Sequence, residues 1–386
     1  MKNRFNIYVL MMTFLFIGVQ SCSNEEDFEL ETQQNTEQSD KVNRNLLDNC
    51  YGEIKTLVID YLGQAGSGFS SKEYFVKDWT GDGIADVMAL KNDGRMFFYK
   101  GVVSNVGVIS SNAPNTTTDP GRNDWKYTLA SGTQVGHGWN NFKEFYPADW
   151  NGNGITDMMA MHNNNKMYLY LWNGSSFVSG VDVGVPSTGS AGWFDGRKRM
   201  VVYFGNDNRA DLIEIADFPS GSVGIMKKLS WNGSSFNSLG GITYGYKTTY
   251  DYYPFDYNND GNTDLIIRKP DGTLKYRENT GYTFSSEKHV GHGWNGYQDL
   301  YPGRNWSICS TITSLTGRKA NGDLYSYRWN PVSDSFYPGK KVGHGWQNYT
   351  HLFMGDLTPD IYHRDDILGL ASNGKMLAYG TVLQME

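Results

Sequence analysis

The stretch that decides the fold runs Phe145-Tyr146-Pro147-Ala148-Asp149-Trp150-Asn151-Gly152-Asn153-Gly154-Ile155-Thr156-Asp157, then Met158 to Met161. A turn follows at Asn163 to Asn165, then the run Lys166 to Trp172, then a second turn Asn173-Gly174-Ser175-Ser176-Phe177. The same order recurs from Tyr74, from Tyr253 and from Phe353, with worn copies near Tyr203 and Tyr301. The turn Trp172 to Phe177 returns letter for letter at Trp231 to Phe236, and more loosely at Trp329 to Phe336. A period of about 50 residues marks a repeat architecture.

Between the turns lie short alternating runs: Met96-Phe97-Phe98-Tyr99, Met167-Tyr168-Leu169-Tyr170, Leu324-Tyr325-Ser326-Tyr327 and Met376-Leu377-Ala378-Tyr379. Asp93-Gly94, Asp271-Gly272, Asn321-Gly322 and Asn373-Gly374 are hairpin turn pairs, because their central residues tolerate positive φ. Each unit therefore predicts three to four antiparallel strands. Six such units make an all-β chain, a β-propeller of six four-stranded blades, which removes sheet edges by radial closure. The last unit stops near Thr381-Val382, short of an outer strand, while Glu53 to Tyr61 is strand-like and unassigned. The N-terminal strand is thus expected to complete the sixth blade. One repeat is lengthened by a polar insert, about residues 103–130. Seven blades result instead if that insert hides a further pair of strands.

Composition agrees. The 386 residues include 45 Gly and 15% Phe, Trp and Tyr, which means many tight turns and half-buried strand faces. Aromatics at this level exclude a disordered protein. A formal charge of −7 excludes the basic stripe that a nucleic-acid partner requires.

At the N-terminus, Lys2 and Arg4 precede an apolar stretch from Phe5 to Val19 that ends in Val19-Gln20-Ser21-Cys22. That is a signal-peptide core followed by a loose lipobox, so residues 1–21 are expected to leave and Cys22 to be lipidated. Within residues 22–48, Ser23 to Asp40 holds Glu25, Glu26, Asp27, Glu29, Glu31, Glu37 and Asp40 and no base. One-sided charge and low hydrophobicity leave such a segment a disordered tether. The propeller domain is expected over 49–386. The acidic run after the cysteine resembles the surface-export signal of Bacteroidetes lipoproteins, which implies an outer-membrane lipoprotein exposed on the cell surface, with membrane contact only through the anchor. Whether Cys50 and Cys309 pair is open.

Three nine-residue loops place oxygen side chains at alternate positions. These are Asp78, Thr80, Asp82 and Asp86; Asp149, Asn151, Asn153 and Asp157; and Asp256, Asn258, Asp260 and Asp264. Ile84, Ile155 and Asn262 at position seven would each add a backbone carbonyl, and Gly83, Gly154 and Gly261 sit where the chain must turn. Hard cations want six to eight oxygens, which alternate residues of a tight loop supply. Position twelve is Ala89, Ala160 or Ile267 rather than a bidentate Glu, so an EF-hand is excluded. The alternative is Asx-turns without metal. A weaker copy keeps Asp356, Thr358 and Asp360 without the glycine. These loops, between the strands of a blade, resemble the FG-GAP/VCBS repeats of integrin-α-type propellers. The resemblance covers about residues 74–382 and implies structural Ca²⁺, at about three sites.

Val135-Gly136-His137-Gly138-Trp139-Asn140 recurs at Val290 to Asn295 and Val342 to Gln347, with relatives at Ala65 to Phe69 and Gly189 to Trp193. Each copy precedes the next carboxylate loop, at a blade-to-blade crossing. A Trp face can stack on a pyranose while His donates or accepts. The other reading makes the glycines a tight crossing and the Trp a packing wedge. The Gly-x-Gly-Trp core resembles tachylectin-like propeller lectins, which implies ligand contacts by His137, Trp139, His292, Trp294, His344 and Trp346.

The expected function is a surface-anchored, calcium-stabilised propeller that binds a glycan or glycoprotein. The alternative is a protein-interaction or adhesion module, or a non-catalytic subunit of a surface complex. No enzyme is expected and no catalytic residue is assigned, because no Gly-x-Ser-x-Gly, His-Glu-x-x-His or nucleotide loop occurs.

Overall fold

The computed structural model describes residues 54–105, 125–185, 197–205, 207–217, 224–281, 283–304, 312–359 and 363–385. The expected leader, Cys22, the expected tether, Cys50, Cys309, Gly189 to Trp193 and Asp360 lie outside the described residues.

Six four-stranded antiparallel sheets follow one another along the chain, and the protein is a six-bladed β-propeller. In the second blade Phe142–Ala148, Asp157–His162, Met167–Tyr170 and Val181–Gly184 succeed one another from the axis outwards. The first blade uses Glu73–Lys77, Asp86–Leu90, Met96–Tyr99 and Thr133–Gly136. The third uses Lys198–Val202, Asp211–Ala216, Gly224–Trp231 and Phe236–Tyr246. The fourth uses Asp251–Phe255, Asp264–Arg268, Leu274–Arg277 and Lys288–Gly291. The fifth has Asp299–Gly303, Ser314–Arg318 and Leu324–Asn330, with its outer edge divided between Ser335–Phe336 and Lys340–Gly343. In the sixth, Tyr349–Gly355, Asp366–Ala371 and Met376–Met385 are completed by Ile54–Gly66. Ile59 lies opposite Thr381 and Tyr61 opposite Tyr379, so the N-terminal strand closes the ring, as its sequence position implies.

The insert contributes a hairpin rather than a blade: Gly101–Asn105 pairs with Trp125–Leu129. Tyr127 on that hairpin is buried and its hydroxyl donates to the Ala85 carbonyl at 2.7 Å. This pair of strands packs on the first blade, which is why the seven-blade alternative fails.

Strand position within a blade explains the sequence pattern. Second strands such as Asp86–Leu90 and Ser314–Arg318 are buried throughout, because neighbouring blades cover both faces. Third strands alternate buried and half-buried residues, which is the period-two pattern of the sequence. Pro147, Pro254 and Pro302 all sit in innermost strands, whose free edge faces the axis and needs no proline N–H.

The core is divided among the blade interfaces. Trp150 packs with Met161 of its own blade and with Leu212 and Trp231 of the next. Trp79 joins Met158 and Trp172, and Tyr257 joins Leu315 and Trp329, in the same way. The ring centroids lie 6.2, 6.2 and 5.7 Å apart for Trp79–Trp172, Trp150–Trp231 and Tyr257–Trp329. Position two of each carboxylate loop is therefore a wedge into the following blade.

Candidate functional site

The turns between first and second strands form one face of the ring; the blade-to-blade crossings and the hairpins between second and third strands form the other. On the first face the carboxylates turn towards their own backbone. The Asp78 carboxylate accepts from the N–H groups of Gly81 and Gly83 at 2.7 and 2.8 Å. Asp149 accepts from Gly152 and Gly154 at 2.7 and 2.6 Å, and Asp256 from Asp260 and Gly261 at 3.1 and 3.0 Å. The position-six glycines have φ of 83, 83 and 87°, left-handed backbone that glycine adopts without strain.

Position nine is a different site. Asp86 is fully buried and accepts from the N–H groups of Trp79 (3.0 Å) and Gly101 (2.7 Å). Asp157 holds Trp150 (3.3 Å) and Trp172 (2.9 Å) likewise. Asp264 holds Tyr257 (3.1 Å) and Asn279 (2.8 Å), and also accepts from the Tyr276 hydroxyl at 3.0 Å. Each of these carboxylates ties its own loop to the exit of its third strand. Burial pushes Asp86 and Asp157 up to about 6 and Asp264 up to about 7, while the N–H donors hold each value down.

The position-nine oxygens expected to face a calcium ion accept from backbone N–H groups. Both oxygens of Asp86, Asp157 and Asp264 are already committed to backbone donors, on the buried side of the loop. Lys100 stands 3.0 Å from Asp82 and supplies the positive charge there. Among the described residues no group of three or more His, Cys, Asp or Glu side chains is placed to hold a metal ion. In the weaker copy, Asp356 accepts from Thr358 N–H at 3.2 Å and faces His363 at 3.2 Å, and the Thr358 hydroxyl donates to Asp366. The worn copies carried the signal that the sequence reading passed over. Asp211 persists at position nine and Asp366 takes the equivalent place in a loop two residues longer, accepting from Trp231 N–H (2.6 Å) and Thr381 N–H (2.7 Å) respectively, although much of the tip pattern is lost. In the fifth blade Ser314 takes the place, and Trp329 N–H bonds the Thr313 carbonyl instead.

On the opposite face the crossings share one construction. The N–H groups of Trp139, Trp294 and Trp346 each donate at 3.0 Å to the hairpin carbonyls of Gly94, Gly272 and Gly322. Phe69 does the same to Gly374, which confirms the relative at Ala65 to Phe69. The second glycine is left-handed, with φ of 78, 75 and 84° at Gly138, Gly293 and Gly345. A Cβ on the first glycine, at 136, 291 or 343, would collide with the indole Nε1 of the element's own Trp.

That packing corrects the expected role of the tryptophans. Trp139, Trp294 and Trp346 are 3, 5 and 5% exposed. Their rings lie 4.6, 4.5 and 4.8 Å from those of Tyr170, Tyr327 and Tyr379 in the following blade. Arg268 and Arg318 further fix two of them, donating to the carbonyls of Trp294 and Tyr297 and of Trp346 and Tyr349. A face so covered cannot stack on a sugar, so these residues are wedges. His137, His292 and His344 are exposed, as are Asn140, Asn295 and Gln347 beside them.

This face also holds a third feature, which the sequence reading passed over. A cavity of about 730 Å³ opens on the axis, lined by the first-strand starts of five blades, among them Glu73, Glu144, Arg199, Asp251 and Asp299.

No family model matches the chain, and no curated protein does, so the FG-GAP/VCBS and tachylectin-like resemblances rest on their motifs alone. Solved structures match in fold. A lectin of Agrocybe aegerita, described as recognising non-reducing terminal N-acetylglucosamine, is 16% identical with a TM-score of 0.51, over 86% of this chain and 90% of that one. Aleuria aurantia lectin, in complex with α-methyl-L-fucoside, is 10% identical with a TM-score of 0.41, over 86% and 96%. A luciferin-regenerating enzyme is 8% identical with a TM-score of 0.45, over 86% and 98%. At these identities the likeness concerns fold.

Proposed function

We propose that the protein is a glycan-binding propeller that uses the face carrying His137, His292 and His344. The observation that carries this reading is the threefold recurrence of one arrangement. An exposed imidazole stands between two glycines, each with its own backbone or packing duty, and an exposed amide follows at Asn140, Asn295 or Gln347. Packing explains the glycines and the Trp, but it does not require an imidazole pointing to solvent. Imidazole and amide together offer both donors and acceptors to sugar hydroxyls. The Agrocybe aegerita lectin binds N-acetylglucosamine on a related fold, and that chemistry comes to this chain as part of the proposal.

The proposal also places the protein at the cell surface, held by a lipid on Cys22 and spaced by residues 22–48. It requires no resident metal and assigns no catalytic residue. The test is a glycan array with the purified protein, repeated with His292→Ala plus His344→Ala. Coherent hits that weaken in the variant, at unchanged melting temperature, support the reading. A blank array from folded protein shifts the function to a protein partner. The exposed valines Val178, Val181 and Val185 at the outer edge of the second blade, each at least 50% exposed, are the surface that reading would use.

A further inference from the structure

The axial cavity is built in a way that the crossings do not require. It is walled by polar side chains, and its cations are already engaged. Arg199 donates to Glu214 and Glu144, both at 2.8 Å, and Arg197 to Glu214 at 3.1 Å. Arg268 binds Asp251 at 2.8 Å. Lys198 donates to the Tyr250 carbonyl at 2.6 Å and Lys143 to the Asn165 amide oxygen at 2.5 Å. A carboxylate or phosphate ligand entering here finds no guanidinium waiting for it, and it meets Glu73, Glu144, Asp251 and Asp299. An amine finds Lys143, Lys198 and Arg197 lining the same wall.

What is left over suits hydroxyl groups. The Glu73 side chain has no hydrogen bond or ion pair among the described residues, and its carboxyl is raised by burial against the weaker pull of Lys72. Both Arg268 contacts to Asp251 fall on Oδ2, which leaves Oδ1 as an acceptor. Gln298 presents an exposed amide on the rim. On the same wall the Tyr252 hydroxyl is spent on the Lys247 carbonyl at 2.8 Å and Tyr301 bonds Asp299, so Tyr253, whose hydroxyl burial keeps protonated, is the donor left to a ligand. A volume of 730 Å³ falls in the range of about 300–1,000 Å³ usual for small-molecule sites. Aromatic rings that carry hydroxyls, beside carboxylate and amide acceptors, match a ring with an apolar face and polar edges.

We propose that this cavity is a second ligand site, taking a neutral saccharide unit on the propeller axis, one per chain. The inference rests on the glycan reading for its ligand class, but it uses none of the crossing residues.

The experiment titrates three forms of the protein with methyl glycosides of neutral hexoses and of N-acetylglucosamine, with glucuronic acid and glucosamine as charged controls. The forms are wild type, the triple variant His137→Ala/His292→Ala/His344→Ala, and the double variant Glu73→Ala/Gln298→Ala. Glu73→Gln serves beside the double variant as the conservative change. The expected result is one neutral-sugar site per chain in the triple variant, and at least a tenfold weakening of that site in the double variant at unchanged melting temperature. Wild-type stoichiometry and affinity in the double variant would overturn the axial site. So would preference for either charged control, or loss of all sugar binding in the triple variant. If instead the triple variant binds like wild type while the double variant binds nothing, the crossing sites fail and the axial site stands. Absence of sugar binding by every form refutes both.

Discussion

The two faces of the ring are built from equally repetitive, equally glycine-rich sequence, yet they spend their side chains differently. On the carboxylate-loop face, Asp78, Asp149 and Asp256 turn onto loop N–H groups, and Asp86, Asp157 and Asp264 are buried under the loop. On the crossing face the Trp turns inward and the His is left in solvent. Repetition therefore records what every blade needs. A repeated residue with no structural duty is the one that points to a ligand.

The sharpest way to break this contrast is to remove a wedge. Trp150→Ala deletes a fully buried ring between the second and third blades, and the expected loss is about 3–5 kcal/mol, read from a urea midpoint. A loss as small as that of an exposed substitution, about 0.5 kcal/mol, would mean the blades do not pack as described. Next comes Asp264→Ala, which strands the buried N–H groups of Tyr257 and Asn279 and should cost about 1–3 kcal/mol. Asp260→Ala, four residues away at the exposed tip, should cost far less. Equal costs would erase the distinction between tip and latch.

The pH dependence carries the same distinction. Asp86 and Asp157 titrate at about 6 and Asp264 at about 7, all raised from 3.8. With folded values above unfolded ones, the folded state holds protons that the unfolded chain has released. The associated stability is complete below about pH 4 and is lost as pH rises through 6 to 7. The melting temperature should therefore be higher at pH 5 than at pH 8, and Asp264→Ala should flatten the difference. A rise towards pH 8 would contradict buried, desolvated carboxylates. The smallest expected effect is that of chelation: EDTA should leave the melting temperature unchanged. A drop of several degrees that calcium reverses would return the loops to the metal-binding role their spacing suggests.

The fold was legible because its signal is long-range periodicity: the copies of the Phe145 to Phe177 stretch, and an unassigned strand at Glu53 to Tyr61 matched to a missing outer strand. The loop chemistry was not, because a carboxylate at position one or nine serves an Asx-turn and a cation equally well by spacing. Only its side-chain direction separates the two. The same holds for Trp139, Trp294 and Trp346, whose burial depends on Tyr170, Tyr327 and Tyr379, each about 30 residues further on. The axial cavity was out of reach for another reason. Its carboxylates do recur, Glu73, Glu144, Asp251 and Asp299 each standing five residues before the first position of a loop or its worn copy, but only the closed ring brings these single positions to one axis.

The central claim is that the crossing histidines bind and the buried repeats only hold. The most direct measurement is glycan binding and melting temperature on one sample each of wild type and His137→Ala/His292→Ala/His344→Ala. The account predicts that the variant loses its crossing-site binding while melting with wild type. A variant that binds as well as wild type would remove the histidines from the binding site, and one that unfolds would make them part of the scaffold.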